Sequence, residues 1–321
     1  MRSRALWTAL VVQLASAATL CAQPWVPPQG EGTVSVTYQN YYVTGHYNIQ
    51  GRENTNGATH AKAMTAEVDF GLSDTVALTV ALPFIATKYT GPQEYLVGVF
   101  STHPGPLDDR TYHATFQDVR VEARRMWWAG PVAVAPLAGV VIPTHDYQTH
   151  GEAVAGRHRR ELQIGAAAGA DLNRVLPRTY VHGRYALATA ERIHGLPSIR
   201  SNVDIEGGFD LATRIGLRGL ASWQFRHKGP TLPELHAYDW EGHDRFIVSS
   251  YFNVGGGMTF SVTRNTELHL LWLGTVSGNN GAHRARMLAV GTSWSFGSGG
   301  FGGFAALRDE RSRSIRQGAG P

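Results

Sequence analysis

The chain has a single cysteine, Cys21, and it lies in the N-terminal leader. If the leader is cut after Ala22, no thiol remains, which excludes disulfide cross-links and cysteine chemistry from the rest of the protein. Only one long apolar run is present, Ala5 to Leu20, and no second stretch has the length that a bilayer-crossing helix needs. A helical membrane protein is therefore excluded. Charge is also scarce: 17% of the 321 residues are charged against 43% apolar, yet mean hydropathy is −0.20, so the apolar residues are dispersed rather than clustered. A basic stripe is missing too. The pI of 9.3 and net charge of +4 arise at the ends, from Arg2 and Arg4 in the leader and from Arg308, Arg311, Arg313 and Arg316 outweighing Asp309 and Glu310 in the tail. The body is close to neutral, which argues against a nucleic-acid partner.

What is present begins with a secretion signal at 1–22: Arg2 and Arg4 form the basic start, Ala5 to Leu20 the apolar core, and Ala22 the cleavage residue. Cleavage after Ala17 fits the small-residue rule as well. Cys21 invites a lipid anchor, but Leu20 stands where that signal wants a small residue. After Phe296 the chain turns to a Gly-rich and then basic stretch, so 298–321 reads as a disordered periplasmic tail.

Between these ends, about twelve segments carry apolar residues at every second position. They fall at Thr33 to Val43, Ala61 to Gly71, Thr75 to Thr87, Ala114 to Trp127, Pro131 to Pro143, Arg160 to Leu172, Thr179 to Thr189, Ser201 to Ala212, Ile215 to Arg226, Phe246 to Phe260, Glu267 to Val276 and Met287 to Phe296. In Ser201 to Ala212, Val203, Ile205, Gly207, Phe209 and Leu211 share one face and Asn202, Asp204, Glu206, Gly208 and Asp210 the other. Such segments are two-faced ribbons. Their length, roughly ten residues or more, suits a tilted strand crossing a bilayer better than a soluble sandwich strand of about five or six. Short turns at Leu72–Asp74, Ala129–Gly130, Asn173–Arg178, Thr213–Arg214 and Arg264–Asn265 alternate strictly with long polar connections, among them Ala190 to Arg200 and Ser277 to Arg286. Aromatic residues sit at both strand ends: Phe70, Trp127, Trp128, Trp294 and Phe296 on the turn side, Tyr41, Tyr42, Phe84, Trp223 and Phe225 on the loop side. These features specify an all-β, transmembrane, antiparallel up-and-down β-barrel of about twelve strands over 23–297, set in the lipid of a cell outer membrane.

Gly71-Leu72-Ser73-Asp74-Thr75-Val76-Ala77-Leu78-Thr79-Val80-Ala81-Leu82-Pro83-Phe84 resembles the turn and third strand of the outer-membrane proteins named for the meta-pathway of phenol degradation. Phe116-Gln117-Asp118-Val119-Arg120-Val121-Glu122-Ala123-Arg124 is similar to that family's next strand, Val141 to Tyr147 to the end of the one after, and Ser293-Trp294-Ser295-Phe296 to its close. Of the family's Gly-x-Gly-Asp before the fourth strand, only Asp118 is kept. The resemblance implies a barrel grouped with transporters of hydrophobic compounds and names no substrate.

Function should lie on the inward face. Asp118, Arg120, Glu122 and Arg124, with His182, Arg184, Asp204, Glu206, Asp210 and Arg218, are expected to line the lumen. Two readings stand: opposed acidic and basic ladders of a pore for a small-molecule solute, or neighbouring charges that neutralise one another and fill a narrow interior. Small inward residues, Gly165, Ala167, Gly169, Gly208 and Gly216, favour an opening. The segment Gln23 to Gly30 is too short for a plug domain, so any occlusion is expected from the loops Lys88 to His113 or His227 to Arg245. The histidines, His46, His243 and His283 among them, fall in loops without metal-site spacing and read as solvated, and no cofactor is implied. An outer-membrane hydrolase would draw on His145 with Asp146, or Ser277 near Asn279 and Asn280, but no signature joins them. A passive pore or uptake channel, for hydrophobic or aromatic molecules among others, leads. A non-conducting surface barrel whose loops bind a partner is the alternative, and oligomeric state is not encoded legibly.

Overall fold

The structure, a computed structural model, describes residues 24–55, 57–91, 107–129, 131–235 and 242–297. The leader, the tail and parts of two loops lie outside these residues. Twelve strands form: β1 (Gly32–Tyr47), β2 (Ala58–Ser73), β3 (Val76–Thr90), β4 in three pieces (His113–Phe116, Val119–Arg125, Trp128–Ala129), β5 (Val132–Ile142), β6 (Glu161–Asp171), β7 (Thr179–Ile193), β8 (Leu196–Ala212), β9 (Ile215–Lys228), β10 (Ser250–Ser261), β11 (Thr266–Asn279) and β12 (His283–Phe296). Each pairs antiparallel with the next, and β12 closes on β1 from Gly32 opposite Phe296 to Val43 opposite Ala285. Closure leaves no edge, the condition for strands to cross lipid.

Alternation sets the two faces. Outward positions such as Val36, Met64, Leu82, Leu162, Ile164, Leu270, Leu288 and Val290 are exposed, while their neighbours Thr37, Ala63, Ala81, Gln163, Leu271 and Ala289 are buried. Trp127 and Trp128 lie bare at the turn-side rim, and Phe70, Phe296 and Trp294 form a stacked row beside them, with centroids 6.3 Å and 5.6 Å apart. Phe84 meets Phe116 at 5.1 Å and Trp223 stacks on Phe252 at 4.5 Å toward the loops. Tyr41 departs from the expected girdle: it is odd-numbered on β1 and points into the lumen, 5% exposed. The break in β4 has a local cause. Pro83 on β3 has no N–H to give, so β4 bulges there and is held by the Gln117 amide donating to the Pro83 carbonyl.

Two expected long connections are instead tight hairpins. Strands β7 and β8 meet through His194-Gly195, with φ of 51° and 75°, and β11 and β12 through Asn280-Gly281, with φ of 51° and 82°. Consecutive left-handed residues are what a tight antiparallel reversal requires. The alternation of short and long connections is thus not strict. The strand expected from Phe246 starts at Ser250, because His243–Phe246 is one turn of helix in the β9–β10 connection.

That connection caps the loop-side mouth. Its other helical turn, Leu232–Leu235, packs through Leu235 against Phe246 and Ile247. The Asn280 side chain ties it down, accepting from the Leu232 amide at 2.9 Å and donating to the Pro230 and Val248 carbonyls at 3.1 and 3.0 Å. Beneath the cap sit His46 and His283, opposite one another on β1 and β12, and His243 from the cap itself. Each is 5% exposed or less, which corrects the expectation of solvated loop histidines. They lie beyond the Val43 bulge, where β1 pairs with the two-residue strand Glu53–Asn54 instead of β2, outside the lipid-crossing wall. Burial, then His243, lowers the His46 pKa to about 4, while burial, His46, His243 and Arg157 hold His283 well below the ordinary imidazole range.

Asn280→Gly keeps the left-handed hairpin and removes the three clamp bonds, so it should weaken the cap by about 1–3 kcal/mol; proteolysis of the Gly229–Ser249 connection in a still-closed barrel measures this. His46 and His283 are neutral when folded and titrate near 6.5 when released, so their contribution is complete above about pH 6.5 and is lost as pH falls toward about 4. Hydrogen exchange of the cap amides, corrected for intrinsic rates, should quicken across that interval, and less so in His283→Leu.

Candidate functional site

The inward face of β4 to β9 carries a ladder of crossed ion pairs. Nearest the turns, Arg124 grips Asp69 through two bonds of 2.7 and 2.6 Å and takes Thr79 on the strand between as a third partner at 2.9 Å. One level up, Arg120 reaches Glu67 at 3.0 Å, and Arg184 holds Glu122 at 2.5 and 3.1 Å with Gln163 at 2.7 Å. Glu206 accepts from the Tyr180 hydroxyl at 2.7 Å and faces Arg218 at 3.4 Å and His182 at 3.8 Å, and Arg218 also faces Glu267 at 3.4 Å. Asp204 accepts from Ser222 at 2.8 Å, Asp118 accepts from Tyr147 at 2.6 Å, and Asp210 stands at the turn-side rim near Gly216. Of the ten residues expected on the lumen face, Glu122, Arg124, His182, Arg184 and Glu206 are buried and Asp118, Arg120, Asp204, Asp210 and Arg218 are partly buried. Their partners Glu67, Asp69 and Glu267, and the separate pair of Glu161 with Arg200, carry no motif of their own, although Glu67 and Asp69 share the parity of the inward Ala61 and Ala63 on β2.

Most of the small inward residues do not make an opening. Gly139 pairs with both Glu122 and Gln163 and leaves a lane through which Arg184 crosses two strands to Glu122. A Cβ on Gly208 would meet the Tyr180 ring at 2.1 Å, and one on Gly165 the Tyr185 carbonyl oxygen at 1.8 Å. Ala167 is packed with Leu137 and Ala186, and Gly216 lies under Thr259.

Gly169 is covered by the segment that was expected to be too short to occlude anything. Residues 24–31 fold into the turn-side mouth: the Trp25 carbonyl accepts from Arg124 at 3.0 Å, its ring stands edge-on to His182 with centroids 6.4 Å apart, and Pro24 and Trp25 lie within 2.9 Å of the Gly169 Cβ position. Gly30 and Gly71 anchor the segment through backbone bonds of 2.9 Å, from the Gly30 amide to Gly71 and from the Gly71 amide to Glu31. Covering this spot needs no domain, because the Trp25 indole seats over Gly169 beside His182.

Part of the opposite wall of the lumen is apolar. Tyr41, Ile85, Leu271, Leu273 and Met287 form one buried cluster on β1, β3, β11 and β12, joined by Tyr147 and Ala155 from the inward-folded β5–β6 connection. The sequence carried a sign of this in Leu270-Leu271-Trp272-Leu273, where alternation gives way to apolar residues on both faces. The β5–β6 connection was not among the loops expected to fold inward. The described parts of those that were contribute buried Leu235, His243 and Asp108, and the remaining residues of both lie outside the described set.

Neither hydrolase set assembles. His145 is engaged by the Thr115 hydroxyl at 2.8 Å and the Thr144 hydroxyl at 2.9 Å, Asp146 faces His158 at 3.6 Å, and Ser277 pairs with Phe252 within the wall. Among the described residues no group of three or more His, Cys, Asp or Glu is placed to hold a metal ion, and no helix is long and apolar enough to cross a membrane.

No family model matches the chain, and no curated protein matches it. An outer-membrane channel from Pseudomonas putida F1 is similar in structure, with a TM-score of 0.62 over 85% of this chain and 98% of that one at 11% identity. Weaker likenesses are to the NanC porin, TM-score 0.46 at 9% identity over 82% of this chain and 100% of that one, and to the KdgM porin in complex with disordered oligogalacturonate, TM-score 0.41 at 9% identity over 82% and 99%. At these identities the likeness is one of fold. With the closed wall, the apolar outer band and the aromatic rims, it makes the protein a twelve-strand barrel of the cell outer membrane.

Proposed function

We propose that the barrel is a passive uptake channel whose solutes are small molecules with an apolar part. The observation that carries this is the divided lumen, ion pairs along one wall and Tyr41, Ile85, Leu271, Leu273 and Met287 along the other. A wall of neutralised charge holds a polar group without strong selectivity for either sign, and an apolar wall receives the rest of the solute by taking apolar surface out of water. The resemblance of Gly71 to Phe84 and Phe116 to Arg124 to the meta-pathway proteins supports the same reading and with it a place in that family. Trp25 at one mouth and the cap at the other make passage conditional on movement. The same covers favour the second reading, a surface barrel that does not conduct.

Single-channel recording of the refolded protein in a planar bilayer separates the two. Small discrete steps are expected, rising roughly twofold or more in Trp25→Ala, with reversal potential moving toward anions in Asp204→Ala and toward cations in Arg218→Ala. Silence from a closed barrel, in the wild type and in Trp25→Ala alike, would overturn the channel and favour the surface role.

A further inference from the structure

Under the loop-side cap guanidiniums gather. Arg157 and Arg159 enter from the β5–β6 connection, Arg200 from β8 and Arg245 from the cap. Arg159 and Arg200 are 3% and 8% exposed, so both are more than nine-tenths buried. Glu161 is the carboxylate bonded to this group: it meets Arg200 at 2.6 Å and also accepts from Gln163 at 2.7 Å. The side chain of Glu191 is exposed, accepts from the Arg160 amide and lies within electrostatic reach of Arg159, and Asp204 lies within reach of the neighbouring Tyr251. Arg157 donates to the Ile247 carbonyl, Arg159 to the Arg245 and Glu191 carbonyls, and Arg245 to the His158 carbonyl. Four buried nitrogens are then left with no acceptor at all among Arg157 (Nη1), Arg159 (Nε) and Arg200 (Nε and Nη1), and Arg245 Nε is a fifth. Lower in the lumen, Arg120, Arg124, Arg184 and Arg218 each meet a carboxylate. After burial, Arg200 is the largest influence holding Arg157 and Arg159 below the ordinary arginine range, which places the three guanidiniums within reach of one another. Tyr251 joins this group to the apolar wall, within electrostatic reach of Arg157 and Arg200 on one side and Tyr41 on the other.

We propose that Arg157, Arg159 and Arg200, backed by Arg245, form a binding site for the carboxylate of a small amphiphile whose apolar part lies past Tyr251 against the Tyr41–Leu271 wall. Buried, unpaired guanidinium donors are costly without an anion and bind one strongly, and a planar carboxylate can take two of them at once. The site names the polar group carried by the solutes of the proposed channel, but binding there does not require that the barrel conducts.

Isothermal titration of the full barrel folded in non-ionic detergent, with heats of empty micelles subtracted, tests it with four probes: hexanoate, 1-hexanol, hexylammonium and inorganic phosphate. Hexanoate should bind saturably, and 1-hexanol, hexylammonium and phosphate about tenfold more weakly or not at all. Arg200→Met and Arg157→Met should each weaken hexanoate by about tenfold. Arg157→Met forfeits only the bond to Ile247 and so guards against misfolding of the other variant. Equal affinity for hexanoate and 1-hexanol, or undiminished affinity in both variants, overturns the anion site. Phosphate binding as tightly as hexanoate overturns the assignment to an amphiphilic carboxylate. Hexanoate binding by a barrel that passes no current would sink the channel and leave this site standing.

Discussion

The pairing of β12 with β1 is the constraint on which the rest depends. In hydrocarbon an unpaired backbone N–H or C=O costs several kcal/mol, so the sheet must close, and a closed sheet assigns every side chain to lipid or to lumen. Twelve strands enclose a space too wide for opposing side chains to fill as a simple core and too narrow to stand open by default. The inside is therefore built from groups that reach: guanidiniums that cross one or two strands, Tyr180 folded over Gly208, and Trp25 brought in from beyond the first strand. Each reach needs a small residue beneath it, which is why the inward glycines of β5, β6 and β8 lie under long partners.

The charged wall and the apolar wall solve the filling problem differently. Buried ion pairs add little stability of their own, since the attraction roughly offsets desolvation, but losing one partner leaves a charge stranded at about 3–5 kcal/mol. Arg124 with Asp69 and Arg184 with Glu122 are thus mutually obligatory. The apolar wall packs by contact and tolerates a change of occupant, because Ile85, Leu271 and Met287 leave no donor or acceptor stranded when something slides across them. A lumen with one fixed side and one permissive side differs from a uniformly wet pore.

The twelve strands were legible because polar and apolar residues alternate along most of the segments that meet lipid. Legibility faded where lipid ends. Past the membrane β7, β8, β11 and β12 continue as polar strands, so His194-Gly195 and Asn280-Gly281 sat inside apparent loops although Asn-Gly is itself a hairpin signal. Residues 24–31 have no periodicity to read, and their position comes from bonds to Arg124 and Gly71 that are remote in sequence. The buried histidines were missed for the same reason: His46 and His283 face inward only because β1 runs on past its bulge, and His243 comes to them on the cap. Partners such as Asp69 were open to discovery by parity, whereas the choice of which arginine meets which acid belongs to the register of the closed sheet.

Register also explains why a barrel with so little charge spends it inside. A strand that slips by one residue exchanges its faces entirely. In β4 such a slip would turn Arg120, Glu122 and Arg124 to lipid, where an arginine at the bilayer midplane costs about 2–4 kcal/mol, so the alternative is excluded by the residues that fill the correct one. Strand β11 has no such guard between Leu270 and Leu273, since both of its faces are apolar there. Its register is held by its neighbour: Gly255 and Gly257 on β10 leave room for Leu273 and Leu271 to lie across them, and a Cβ at either glycine would come within 2.9 Å of a leucine. The stretch of wall that relaxes the charge rule is thus the stretch where shape has replaced it, and it is there that the lumen becomes apolar.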